Sequence, residues 1–177
     1  MTPDAEDLFK VGEGEDSVVR IVEPNPEKPE AQPTAYGPGS LALMRYAHAD
    51  GKNAVALGYN CKTAGQYGFS TGHETEAAGI ASAAFNFHNI ASGVYSFAAG
   101  ANNVVAGYTD AAFGSGNEIA SDVEHSFAAG QGNKIYASEA VALGSTGEIS
   151  GQRSFTFGEL NKVSAYASSA FGSQNEI

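Results

Sequence analysis

The sequence predicts an all-β fold: a parallel β-roll, a solenoid of about ten coils of 14 residues, preceded by a short β leader and a proline-rich linker. Three observations predict it. The pentapeptides AVALG, GFSTG, SAAFN, SFAAG, DAAFG, SFAAG, AVALG, SFTFG and SSAFG end at residues 58, 72, 86, 100, 114, 130, 144, 158 and 172, so every step is 14 except one of 16. A fixed period of this size marks a repeat architecture. Within each unit apolar and small residues alternate with the two-residue period of a strand. Glycine returns about every seven residues, and no sustained i, i+3, i+4, i+7 pattern is present, which excludes helix.

Residues 1–22 form an acidic β leader, in which LFKV and SVVRIV flank the turn-forming GEGED. Residues 23–38 hold most of the six prolines and read as a linker with extended, polyproline-like stiffness. The repeats fill 39–177, with SLALM (40–44) as a first copy in which Met44 takes the glycine slot. The chain ends at Ile177, halfway round a coil, and reads as a piece of a longer fibre.

Each repeat reads as two short strands and two turns. The anchor at slot zero is Gly58, Gly72, Gly100, Gly114, Gly130, Gly144, Gly158 or Gly172. Slots −3 and −1 carry the bulk, as in Val55 and Leu57, Phe97, Phe127, Val141 and Leu143, and Phe155 and Phe157. Slots −4 and −2 are small, with Ala56, Ala84, Ala98, Ala112, Ala128, Ala142 and Ala170 at −2. This small-residue face would let another chain pack closely. Asn recurs at +3 (Asn89, Asn103, Asn117, Asn133, Asn161, Asn175) and reads as turn chemistry. Slot +5 is often apolar, as in Val105, Ile119, Ile135, Ile149 and Val163, and starts the second strand.

The S-[VF]-A-[LF]-G core, the Asn at +3 and the small-Gly pair at +6/+7 resemble the YadA-like head repeats of trimeric autotransporter adhesins. AVALGYNCKTAG, AVALGSTGEISG and SFAAGANNVVAG match best, and the resemblance spans about residues 39–177. It implies a left-handed parallel β-roll, trimerised about an axis and displayed on a fibre that mediates attachment. Similar repeats occur in tail fibres of phages and prophages. The adhesin family also carries a signal peptide, a heptad stalk and a membrane barrel, and none of these patterns is visible in this sequence.

The 177 residues carry a net charge of −11, of which residues 1–30, with nine acids and three bases, contribute −6. Nucleic acid and direct insertion into a membrane are not expected partners. The lone Cys61 stands in a slot that holds Asn in most other copies and reads as a small turn residue; an inter-chain disulfide at a symmetry axis is the alternative.

His48, His73, His88 and His125 occupy different slots with no metal-binding spacing, so no metal or cofactor is expected; recurrence of His88 or His48 about an axis is the one route to a site. His73-Glu74-Thr75-Glu76 reads as a solvated turn. The serines at −4 are a repeat file and the acids are scattered over turns, so no catalytic residue and no enzyme activity are expected. The 16-residue step inserts two residues within 119–125, and Asp122, Val123, Glu124 and His125 are expected to protrude, as a neutral bulge or as part of a binding surface. Tyr67, Tyr95, Tyr108, Tyr136 and Tyr166 gather near the second turn, as edge residues of β structure or as contact residues.

Other solenoids fit poorly. Hexapeptide acyltransferases have three faces per coil, repeat-in-toxin rolls need GGxGxD, and ice-binding solenoids need threonines on a common slot. The expectation is an extracellular homotrimeric fibre segment on a bacterial cell surface that attaches to a host protein or glycan receptor. A tail-fibre receptor-binding segment of a virion and a passive spacer are the alternatives.

Overall fold

One strand of five residues and one of two, joined by two tight turns, make a typical coil. The computed structural model describes residues 9–20 and 32–177. Over them the chain is all-β, with no helix, and forms a parallel β-solenoid of about ten coils. The long strands run from Leu41–Leu43 and Val55–Tyr59 through to Ser169–Ser173, and the short ones from Thr34–Ala35 to Lys162–Val163. They stack into a 12-stranded and a 10-stranded sheet whose strand orders follow the chain. At about 4.8 Å per coil the rod is roughly 45–50 Å long.

At the N-terminal end Phe9–Val11 and Val18–Arg20 pair antiparallel, and Val18 and Val19 pair in parallel with Leu41 and Ala42. Residues 1–8 and 21–31, which include parts of the leader and linker stretches, lie outside the described residues. Within 32–38, Thr34–Ala35 joins the short sheet beside His48–Ala49, with Ala35 buried.

The faces of the long strand are the reverse of the sequence expectation. The small file at −2, from Ala42 to Ala170, points into the coil and is buried. The bulky residues at −3 and −1 lie on the outer face, half-buried or exposed. The reason is volume. Inside the coil, the −2 file faces the +5 file of the short strand, where Ala49, Ala77, Ala91, Val105, Ile119, Ile135, Ile149 and Val163 are fully buried. Two strands joined by such short turns leave no room between them for a phenylalanine.

The Asn at +3 is also not the turn residue. Asn89, Asn103, Asn117, Asn133 and Asn161 are buried and form an amide ladder along the rod. The Asn103 Oδ1 accepts from the backbone N–H of Asn117 at 3.0 Å and from its Nδ2 at 2.9 Å. The Asn117 Nδ2 also donates to the carbonyls of Phe113 and Gly130, both at 3.0 Å. Each amide thereby satisfies backbone groups that the first turn would otherwise strand in the interior. Cys61 sits in this file. Its buried Sγ lies 3.4 Å from the Leu57 carbonyl and 3.3 Å from that of Gly72, and accepts from Thr75 Oγ1 at 3.2 Å. It is a ladder member, closed off from a partner chain.

The anchor glycines have φ between 103° and 129°, a region that L side chains rarely adopt. A Cβ at Gly144 would also meet the Gly158 carbonyl oxygen at 2.0 Å. The left-handed backbone recurs at +2 and −5, where non-glycine residues such as Asn60, Glu74, His88 and Asn102, or Tyr67, Tyr95, Glu139 and Arg153, have φ of 50–59°.

Two predictions follow from this packing. Asn117→Ala leaves the Phe113 and Gly130 carbonyls and the Asn133 N–H without their amide partner, so stability in urea unfolding should fall by about 2–4 kcal/mol. Ile135→Ala, at a fully buried position of the apolar core, should cost about 2–5 kcal/mol in the same assay.

Candidate functional site

Three surfaces carry chemistry or contact potential: the outer face of the long sheet, the inserted turn, and a histidine cluster at the first turn.

On the outer face the phenylalanines alternate between −3 and −1 in successive coils. Phe69, Phe85, Phe97, Phe113 and Phe127 form a zigzag with ring-centroid separations of 5.5, 5.2, 5.0 and 5.7 Å. Wherever one slot holds Phe in these five coils, the other holds Thr71, Ala83, Ala99, Ala111 or Ala129. Val141 and Leu143 continue the strip, followed by Phe155 and Phe171 at 5.4 Å. From Leu41 to Phe171 no −3 or −1 position is charged, in a chain of which 16% is.

The insertion is confined to the second turn. Ala111 still pairs with Phe127 and Glu118 with Lys134, so both sheets cross it in register. Asp122, Glu124 and His125 are exposed as the sequence suggests. Val123 departs from that expectation: it is 1% exposed and belongs to the core cluster with Ile119 and Ala128. Its carbonyl accepts from the Tyr108 N–H at 2.9 Å, so the turn at Ser121 and Asp122 absorbs the extra length and returns Val123 to the interior.

Asp110, which replaces the usual small residue at −4, completes this turn. Its Oδ1 accepts from the Ser126 N–H at 2.6 Å, while Oδ2 is buried without a partner. Burial pushes its carboxyl up to about 6, against the lowering pull of the Ser126 N–H and His125, with Glu124 adding to the rise. The sequence counts it among the acids scattered over turns, whereas the fold buries it; the one signal for that was a carboxylate in a Ser/Ala/Gly file.

The histidines do not share a slot, yet the coil brings two of them together with Glu74. The His73 ring lies between Tyr59 and Phe87, with centroids 5.0 and 5.3 Å away and planes 20° and 22° apart. The His88 Nε2 is 2.6 Å from the Glu74 Oε2. His48 instead meets the Thr34 hydroxyl at 2.5 Å from Nδ1, on the short-sheet face.

The tyrosines named above are exposed. Tyr166 accepts from Arg153 Nη1 at 2.6 Å, and Arg153 Nε donates to Glu139 Oε2 at 2.9 Å, linking successive coils at the solvent surface. That contact holds Glu139 below and Arg153 above their ordinary ranges, largely through the hydrogen bond between them. Glu118 with Lys134 and Glu148 with Lys162 form wider pairs along the short sheet, at 3.9 and 3.7 Å. A groove of about 220 Å³ at the N-terminal end is lined by Lys10, Val11, Glu13, Val19, Pro33 and Thr34, among others.

Among the described residues no helix is long and apolar enough to cross a membrane. No family model matches the chain, and no curated protein matches it.

The raised Asp110 carboxyl sets a pH dependence. The folded state holds this proton more tightly than the unfolded chain, where the ordinary value is 3.8, so its contribution to stability is full at low pH and is lost as pH rises towards and through about 6. In Asp110→Ser a hydroxyl can accept the same N–H, as Ser126 does from Ala140 and Ser154 from Ser168. Urea midpoints measured from pH 4 to 7 should decline less for this variant than for the parent, leaving it the more stable protein at pH 7.

Proposed function

We propose that this chain is a segment of an extracellular homotrimeric fibre, on a bacterial cell surface, whose task is attachment to a protein or glycan on a host surface. The observation that carries this reading is the uncharged aromatic strip along the outer face of the long sheet. A continuous exposed apolar strip on a rod marks an interaction surface. Its occupant is a second and a third copy of the same chain. The strip repeats with the coil, so identical strips can meet at one level about an axis parallel to the rod and close a ring. The zigzag also supplies its own complement, because each phenylalanine faces the level of an alanine or threonine in the next slot. The contact surface is thus the bulky face, where the sequence had suggested the small one.

The resemblance of the 14-residue unit to YadA-like head repeats supports the same assembly and supplies the attachment role. A rod of stacked coils suits such a role, since it holds turn residues at fixed intervals far from its base. The turn at Asp122, Glu124 and His125 and the exposed tyrosines of the second turn are the surfaces offered for receptor contact.

Light scattering after gel filtration should give a mass near three chains of 18.2 kDa, roughly 55 kDa. Phe97→Asp combined with Phe127→Asp should shift the mass to one chain with the β circular dichroism retained. A parent that stays monomeric at high concentration overturns the trimer. Labelled trimer should bind intact animal or bacterial cells and lose that binding when the 120–125 turn is shortened by two residues. A trimer that binds neither surface would leave a spacer, and attachment would be withdrawn.

A further inference from the structure

His73, Glu74 and His88 are the one group of three histidine, cysteine or acidic side chains among the described residues whose ligand atoms converge, all within 4.8 Å of one another. We propose that they form a binding site for a divalent transition cation of the zinc class, joining two successive coils at the solvent surface. Nothing in the proposed attachment role requires this site, and the inference stands without it.

The fold places each ligand. His73 ends the long strand Phe69–His73 at slot +1, Glu74 follows at +2, and His88 is the +2 residue of the next coil. Glu74 and His88 both have left-handed backbone, with φ of 55° and 50°, so their side chains leave the turn in the same direction one coil apart. The coils are locked together here, because the His88 N–H donates to the His73 carbonyl at 2.9 Å and the Glu74 N–H to that of Tyr59 at 2.8 Å. The His73 ring is held between Tyr59 and Phe87, whose near-parallel planes leave its nitrogen-bearing edge free of the stack. The three ligand atoms therefore differ from a metal-bound set mainly by side-chain rotation on a fixed backbone.

The chemistry of the donor set selects the ion. Two imidazole nitrogens and one carboxylate oxygen suit zinc, with ligand bonds of about 2.0–2.2 Å and a water in the fourth position. Calcium and magnesium take oxygen ligands and gain little from two imidazoles. The His88 Nε2 and the Glu74 Oε2 already lie 2.6 Å apart. A cation would take the place of that direct contact, and the Glu74 charge would offset its own. With the Glu74 and His88 side chains 39% and 38% exposed, solvent competes for the ligands and the affinity should be micromolar rather than tighter.

The site can be broken without disturbing the coil, because the repeat shows which substitutions each slot accepts. Asn60 and Asn102 occupy the His88 slot with φ of 52° and 57°, so His88→Asn keeps the turn. Phe87 occupies the His73 slot one coil on, so His73→Phe keeps the ring stack.

Calorimetric titration of the full chain with zinc chloride should give one cation per chain. Cobalt chloride should give the intense visible bands of a four-coordinate ion, and calcium or magnesium chloride should give no heat. Each variant should weaken zinc binding roughly tenfold or more, while His48→Gln leaves it unchanged. Zinc should also raise the unfolding temperature of the parent and not of His88→Asn. Stoichiometric binding that survives both His73→Phe and His88→Asn, or no zinc heat from the parent, would overturn the site.

Discussion

A coil of fourteen residues can close only if its backbone reverses twice within very few residues, and this constraint governs the rest of the structure. In most coils three residues take left-handed backbone, at the anchor, at +2 and at −5. An isolated peptide would not hold three such residues, since each non-glycine one carries a steric cost. They persist because each turn is hydrogen-bonded to the turns before and after it. The N–H of each +2 residue donates to the +1 carbonyl of the previous coil, as His88 does to His73 and Asn102 to Phe87. Stability is therefore a property of the stack, shared between neighbours, in the manner of a one-dimensional array.

This cooperative origin explains what could be read from the sequence. The anchors were legible because Gly58 and Gly144 combine a φ above 100° with a backbone of the next coil where a Cβ would be, which only glycine accommodates, while Met44 and Asn86 fill the slot at φ of 85° and 79°. The left-handed slots at +2 and −5 were hidden. Their occupants range from Asn60 to Leu160 and from Ala81 to Arg153, because stacking overrides the local preference that would have marked them. Asn at +3 misled for a related reason: an amide that favours turns also suits a buried ladder, and only the three-dimensional stack distinguishes the two. The alternation of large and small residues gave two faces without saying which was inner. Volume decides that, and the width of the coil is set by its turns rather than by the strand pattern.

The inward placement of alanine has a consequence for the whole molecule. The phenylalanines from Phe69 to Phe171 form the outer face of the long sheet. The hydrophobic contribution of those rings in a single chain is limited to their contacts along the zigzag. Much of the apolar area of this protein is thus held outside its own core, and the larger gain from burying it is available only through association.

The 16-residue step shows how such a rod accommodates irregularity. Inside either strand, an insertion of one residue would turn the side chains that follow it in that strand to the opposite face, and one of two residues would push the strand out of register with the coils on each side. Placed between Ile119 and Ser126 it leaves both ladders in register, and even the asparagine file crosses it, with Asn117 Oδ1 accepting from the Asn133 N–H at 3.0 Å. The turn recovers its core contact through Val123 and its backbone partner through Asp110, at the expense of one buried carboxylate oxygen. The same logic places the histidine cluster. Away from the uncharged −3 and −1 files, the chemical variety of this rod stands in the +1, +2, −5 and −6 files of the turns, with Glu74, His88, Tyr108 and Arg153, and in the outward +4 file of the short strand, with Lys62, Glu118, Lys134 and Lys162. Those files carry the charged and hydrogen-bonding side chains that the rod turns to solvent.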